Sequence, residues 1–120
     1  MGKKKRHNFR ELQIWHRSRA LVKVIYEVSG KFPSEEKFGL TNQIRRCAVS
    51  VPSNIAEGCG RGSDAQLAHY LDVAHGSCCE LETQLLLASD LGLIHFDELT
   101  ETLDEIHQIQ KMILGFKDTL

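Results

Sequence analysis

Apolar residues recur along this chain in four blocks, each at the three-and-four spacing of one helical face. The first runs Ile14, Leu21, Ile25, Val28 and Phe32, with Ser18 filling the gap in phase and Trp15, Val22 and Tyr26 forming an adjacent stripe. Phe32-Pro33-Ser34 stops it, because the residue before a proline is pushed out of the helical region. The second block is Leu40, Ile44, Cys47, Val51 and Ile55. Glu35 and Glu36 suit an N-terminal turn, so this helix is expected to start near them. Pro52 falls inside the block, yet the apolar phase continues to Ile55 and no turn residues cluster before it. The pattern therefore predicts one helix kinked at Pro52, with the Ala48 carbonyl losing its usual partner. Gly58-Cys59-Gly60-Arg61-Gly62 should end that helix, with glycine supplying a left-handed C-cap.

Ser63-Asp64-Ala65-Gln66 has the form of a capping box. It opens a seam of Leu67, Leu71, Ala74, Cys78, Leu81, Leu85 and Ala88, whose alternating steps are those of left-handed bundle packing. Leu91-Gly92-Leu93 closes it. A last helix from about Asp97 points Leu99, Leu103, Ile106, Ile109, Ile113 and Phe116 inward. Short connections make each helix pack antiparallel to its predecessor. The expected architecture is all-α, an antiparallel up-down-up-down four-helix bundle over residues 11–120, preceded by a basic tail over residues 1–10.

Charge changes the picture more than composition does. Residues 1–61 hold 13 Lys and Arg against 5 Asp and Glu, whereas residues 62–120 hold 2 against 11. Lys3, Lys4, Lys5 and Arg6 supply much of the surplus. Such a split serves an anionic partner, or sets basic helices against acidic ones within or between subunits. No apolar stretch reaches the ~20 residues of a membrane span, and no apolar segment follows the basic start to form a secretory signal. Cys47, Cys59, Cys78 and Cys79 lack paired CxxC spacing and fall on or near apolar stripes. All four are expected to pack as small hydrophobes in a reducing compartment, and the location expected is the cytoplasm.

The second helix carries a polar row beside its core stripe: Gln43, Arg46, Ser50, Asn54, Glu57 and Arg61, bordered by Ser53. Arg45 points elsewhere, toward a small apolar face of Val49, Pro52 and Ala56 suited to subunit packing. Two readings stand for the row. It recognises a partner, or it is satisfied internally by Arg46–Ser50 and Glu57–Arg61 pairs at i,i+4 and by Asp72, Glu80 and Glu82 of the third helix. Catalytic and metal chemistry find little footing. His75 and Cys79 lie one turn apart, but two ligands do not make a site. Arg10 and His16 loosely resemble the Arg…His pair of helical-bundle ribonucleases, on the wrong helix for that family. No phosphate loop, nucleophile elbow or dinucleotide glycine pattern occurs, so neither an enzyme nor a cofactor is expected.

The segment Phe38-Gly39-Leu40-Thr41-Asn42-Gln43-Ile44-Arg45-Arg46-Cys47-Ala48-Val49-Ser50-Val51-Pro52-Ser53-Asn54-Ile55-Ala56-Glu57-Gly58 resembles the four-helix-bundle proteins encoded in intervening sequences of 23S ribosomal RNA genes. The likeness extends through Gly60-Arg61-Gly62-Ser63 and Ala74-His75-Gly76-Ser77-Cys78-Cys79-Glu80-Leu81-Glu82. Leu12-Gln13-Ile14-Trp15, Tyr26, Phe32-Pro33 and Lys111-Met112-Ile113 also agree. The resemblance implies a bundle that assembles into a ring, usually a homopentamer, with no catalytic activity attached. A related accessory protein of diversity-generating retroelements binds nucleic acid and a reverse transcriptase. By this likeness Gln43, Arg46, Ser50, Asn54, Glu57, Arg61, Glu80 and Glu82 are signature positions, as interface or recognition residues.

Two functions follow as expectations. One is a ring that binds RNA or a nucleoprotein through Lys3, Lys4, Lys5, Arg6, Arg45, Arg46 and Arg61, mainly by backbone contact, since most aromatic residues look buried. The other is a protein-interaction scaffold with no nucleic-acid ligand.

Overall fold

The computed structural model describes residues 7–36 and 39–120. Among them are four α-helices and no strand: α1 (Gln13–Ser29), α2 (Leu40–Cys59), α3 (Asp64–Asp90) and α4 (Phe96–Asp118). Each helix packs on its sequence neighbours and α4 also meets α1, an arrangement compatible with a four-helix bundle. The molecule is elongated, 58 × 24 × 19 Å, as the roughly 40 Å of a 27-residue α3 requires. No helix of the described residues is long and apolar enough to cross a membrane.

The stripes fill the core. Leu21, Ile25, Ile44, Val51, Ile55, Leu71, Leu81, Leu85, Ile106, Ile109 and Ile113 are essentially fully buried. Each such side chain contributes about 1.5–3 kcal/mol of transfer free energy. Ser18 does fill the α1 stripe: it is buried, and its hydroxyl donates to the Trp15 carbonyl at 3.0 Å.

Helix ends depart from expectation in three places. Glu35 and Glu36 lie in a separate 3₁₀ turn, Ser34–Glu36, and α2 begins only at Leu40. Gly39, at φ −105° and ψ −113°, precedes α2 in a non-helical conformation that separates it from that turn. α1 ends at Ser29, so Phe32 reaches the core from beyond the helix. Gly60 caps α2 in the right-handed region (φ −81°), not the left-handed one. The left-handed glycine among the described residues is Gly92 (φ +73°), after α3. There the Leu93 N–H donates to the Ala88 carbonyl and the Gly92 N–H to the Ser89 carbonyl, a Schellman closure.

Glycine is needed at Gly58 for a different reason. A Cβ there would stand 2.9 Å from both Leu67 Cδ1 and Tyr70 Cβ, so its absence lets α2 and α3 approach closely. α3 itself starts on Ser63, whose Oγ accepts the Gln66 N–H at 3.2 Å, while Gln66 Oε1 accepts the Gly62 N–H at 3.2 Å. The reciprocal bond thus falls one residue earlier than the capping box places it.

Candidate functional site

Pro52 lies within the continuous α2 assignment, and the polar row on α2 borders a groove of 410 Å³ against α3. The α2 wall consists of Asn42, Gln43, Arg46, Cys47, Ser50 and Asn54. The α3 wall is Val73, Ser77, Glu80 and Gln84, which step by four, three and four and so share one face.

Local backbone bonds settle part of the row. The Ser50 hydroxyl donates to the Cys47 carbonyl at 2.6 Å, and Asn54 Nδ2 donates to the Ser50 carbonyl at 2.7 Å. The expected Arg46–Ser50 pair is therefore absent, because a helical serine finds the carbonyl one turn back first. Cys47 Sγ donates to the Ser77 carbonyl at 3.1 Å and ties the two walls together. Burial, with Glu80 adding to it, pushes the Cys47 thiol up to about 12.

Of the arginines, Arg45 and Arg61 are held and Arg46 is not. Arg45 Nε donates to Ser29 Oγ at 2.8 Å, its Nη2 donates to the Tyr26 carbonyl at 3.2 Å, and its guanidinium lies 4.5 Å over the Tyr26 ring. It is clamped to α1 and does not reach the acids of α3. Arg61 forms the expected pair with Glu57 at 3.2 Å, and also donates to the Tyr70 hydroxyl at 2.8 Å. The α3 acids go elsewhere: Asp72 pairs with Lys117 and Glu82 lies 2.7 Å from His107 Nε2, both on α4. Among the described residues Arg46 and Glu80 form no ion pair or hydrogen bond, although they line the same groove. Lys3, Lys4, Lys5 and Arg6 lie outside the described residues.

Of the α3 wall the sequence reading singled out Glu80 and left out Val73 and Gln84. Gln84 is only 7 % exposed, and its buried Oε1 has no hydrogen-bond partner. Its signal was available, because Gln84 sits three residues after Leu81 and four before Ala88, a polar residue flanking the apolar seam beside Leu85. Several expectations need correction. Cys79 is exposed and accepts from Gln110 Nε2 at 3.3 Å, unlike the buried Cys47, Cys59 and Cys78. Most aromatic residues were expected to be buried, but among the described ones only Phe32 is, and Tyr26 and Phe96 are exposed. His16 Nε2 bonds the Arg10 backbone carbonyl at 2.5 Å, so the Arg10–His16 pairing runs through the main chain. Among the described residues no three His, Cys, Asp or Glu side chains gather as they would around a metal ion.

Comparison with known proteins places this arrangement. The sequence pattern of the 23S rRNA-intervening sequence protein family matches residues 10–115, which include both groove walls. A crystal structure of a protein of unknown function from the S23 ribosomal protein family of Bacteroides thetaiotaomicron superposes with a TM-score of 0.81 at 22 % identity. That match covers 88 % of this chain and 95 % of the other, and at such identity it is a likeness of fold. No curated protein matches the chain. The chain belongs to the 23S rRNA-intervening sequence protein family.

Proposed function

We propose that the protein is a non-enzymatic assembly module of the cytoplasm. Copies of an up-down-up-down bundle, bent at Pro52, join through the side of α2 that borders α1. The observation that carries this reading is the small apolar face there. Val49 is 40 % exposed and Tyr26 44 %, and Pro52 and Ala56 remain half-buried, with nothing among the described residues to cover them fully. Such a face, with Arg46, unpaired among the described residues, at its edge, has the character of an apolar interface core with a polar rim. Arg45, clamped by Ser29 and Tyr26, holds its rim in place before any partner arrives. The closed ring of five that the family likeness implies is one assembly built from a single heterologous contact.

Light scattering on the full chain tests it. The expected mass is a multiple of the 13.6 kDa chain, five-fold for a pentamer. Val49→Asp should reduce it to one chain, while Val73→Asp, on α3, should leave it unchanged. A wild-type chain that runs as a monomer at micromolar concentration overturns the reading.

A second reading, that the assembly binds RNA, is favoured by cations that the bundle does not neutralise. Arg17 and Lys31 are held by Glu105 and Glu98, but Arg10 and Lys23 are exposed and form no ion pair among the described residues. Arg46 and the basic residues Lys3, Lys4, Lys5 and Arg6 add to them. Binding of this kind weakens steeply with salt. RNA that raises the mass in dilute buffer and leaves by about 300 mM salt supports it. A mass indifferent to RNA leaves a protein-interaction scaffold.

A further inference from the structure

We infer that the α2/α3 groove binds an extended polypeptide segment that carries one acidic and one basic side chain. This goes beyond self-assembly: Glu80 and Gln84 stand on α3, although Asn42, Arg46 and Ser50 line both the groove and the pocket beside the apolar face. Three observations point to a peptide. First, Arg46 and Glu80 share the groove with no hydrogen bond or ion pair among the described residues. A guanidinium and a carboxylate left free in one cleft suit a ligand bearing both signs. Second, Gln84 is nine-tenths buried on the groove wall, with its Oε1 unpartnered. A buried carbonyl without a donor is costly, and a turn of the Gln84 amide toward the groove that brings it to a ligand N–H removes that cost. Third, four carboxamides line the groove: Asn42, Gln43, Asn54 and Gln84. Each offers one acceptor and an N–H donor, as a peptide group does, so a row of them can pair with a backbone whatever its side chains.

The dimensions agree. From Gln43 to Asn54 the helix rises about 16 Å, which an extended chain of about five residues spans. Val73, partly exposed in the α3 wall, offers one apolar contact along the way. Nucleic acid fits this cleft less well. Among the described residues it holds a single cation, and the Glu80 carboxylate would face phosphate in the same space.

The test uses the full-length chain, immobilised and panned with a random heptapeptide display library. Enriched peptides are then resynthesised with a fluorophore and titrated by anisotropy. The expected peptides place an acid and a base within about five residues. Their affinity should fall at least tenfold in Arg46→Ala and in Glu80→Gln. It should fall similarly in Gln84→Met, a variant that removes the amide while keeping the fold. Arg17→Ala should leave it unchanged, and so should Val49→Asp, whose mass reports separately on self-assembly. The double exchange of Arg46→Glu with Glu80→Arg should enrich peptides of the reversed charge order. The proposal is overturned if no peptide is enriched, or if enriched peptides bind the Arg46, Glu80 and Gln84 variants as tightly as wild type. It is also overturned if a random RNA oligonucleotide displaces them, or if Glu80→Gln, on the α3 wall, lowers the oligomer mass, which would mean a second copy fills the groove.

Discussion

Two grooves of this bundle treat charge in different ways. The α1/α4 groove, about 420 Å³, is lined by Glu27, Lys31, Glu98, Glu101 and Glu105 beside Leu21 and Val24. Two of its carboxylates, Glu98 and Glu105, are matched across the helices, while Glu27 and Glu101 form no ion pair among the described residues. Arg17 reaches Glu105 through two bonds of 3.0 and 2.6 Å, which hold the guanidinium above its ordinary pKa, and Lys31 meets Glu98 at 2.7 Å. The α2/α3 groove has a similar volume, 410 Å³, but leaves Arg46, Glu80 and Gln84 without partners among the described residues. Part of the charge asymmetry between the halves of the sequence is thus spent on the α1/α4 contact. In the α2/α3 groove both the cation, Arg46, and the carboxylate, Glu80, are left without an ion pair among the described residues. Neutralised groups hold helices together, and uncompensated ones on a rigid frame remain available to a ligand.

The contrast breaks most deeply at high pH, because all four cysteines belong to α2 and α3. Burial holds the Cys47 and Cys78 thiols at about 12, above the ordinary 9.0. A pKa raised by folding favours the protonated thiol in the folded state. Its stabilisation is complete below about pH 9 and is lost as pH rises toward 12. Each thiol withdraws roughly 1 kcal/mol per pH unit across that window. Urea midpoints measured from pH 7 to 11 should be flat at first and then fall. The fall should be shallower in Cys78→Ala measured against its own neutral baseline. An equal slope in that variant would remove the thiol from the explanation.

A smaller break comes from forcing α2 and α3 apart. In Gly58→Ala the new methyl meets Tyr70 Cβ at 2.9 Å and the Leu67 carbonyl oxygen at 3.3 Å, neither of which can swing away as a side-chain tip would. The expected cost is about 1–3 kcal/mol, with a melting temperature several degrees lower. Gly76→Ala, in the middle of α3, meets nothing within 4 Å and should instead gain up to about 1 kcal/mol of helix propensity. If the two variants melt alike, close approach at Gly58 does not hold this seam.

Periodicity made the core legible, because burial repeats with the helix. Ile14, Leu21, Ile25, Leu71, Leu81, Ile106 and Ile113 are all buried as the stripes require. Helix ends were less so, since glycine announces a stop without announcing its sign of φ. Gly60 stays right-handed while Gly92 turns left. At the groove, spacing found the α2 row but could not say who answers it. Ser50 satisfies itself one turn back, Arg45 crosses to α1, and Asp72 and Glu82 turn to α4. Those choices depend on which helices are neighbours and how closely they lie. Gln84 was passed over because a seam is read for its apolar members, and the amide flanking it carries the information.

The smallest expected effect compares the grooves directly. Arg17 and Glu105 are 41 % and 33 % exposed, so their bidentate pair is screened, and Arg17→Ala should cost about 0.2–1 kcal/mol. Arg46 has no partner among the described residues, so Arg46→Ala should lie within about 0.5 kcal/mol of wild type. Chemical denaturation of both variants at low and high salt separates the cases: only the Arg17 effect should shrink as salt rises, because only that charge has a fixed counterpart to be screened from. A loss at Arg46 as large as at Arg17 would mean that this guanidinium supports the fold, and the two grooves would then differ in geometry alone.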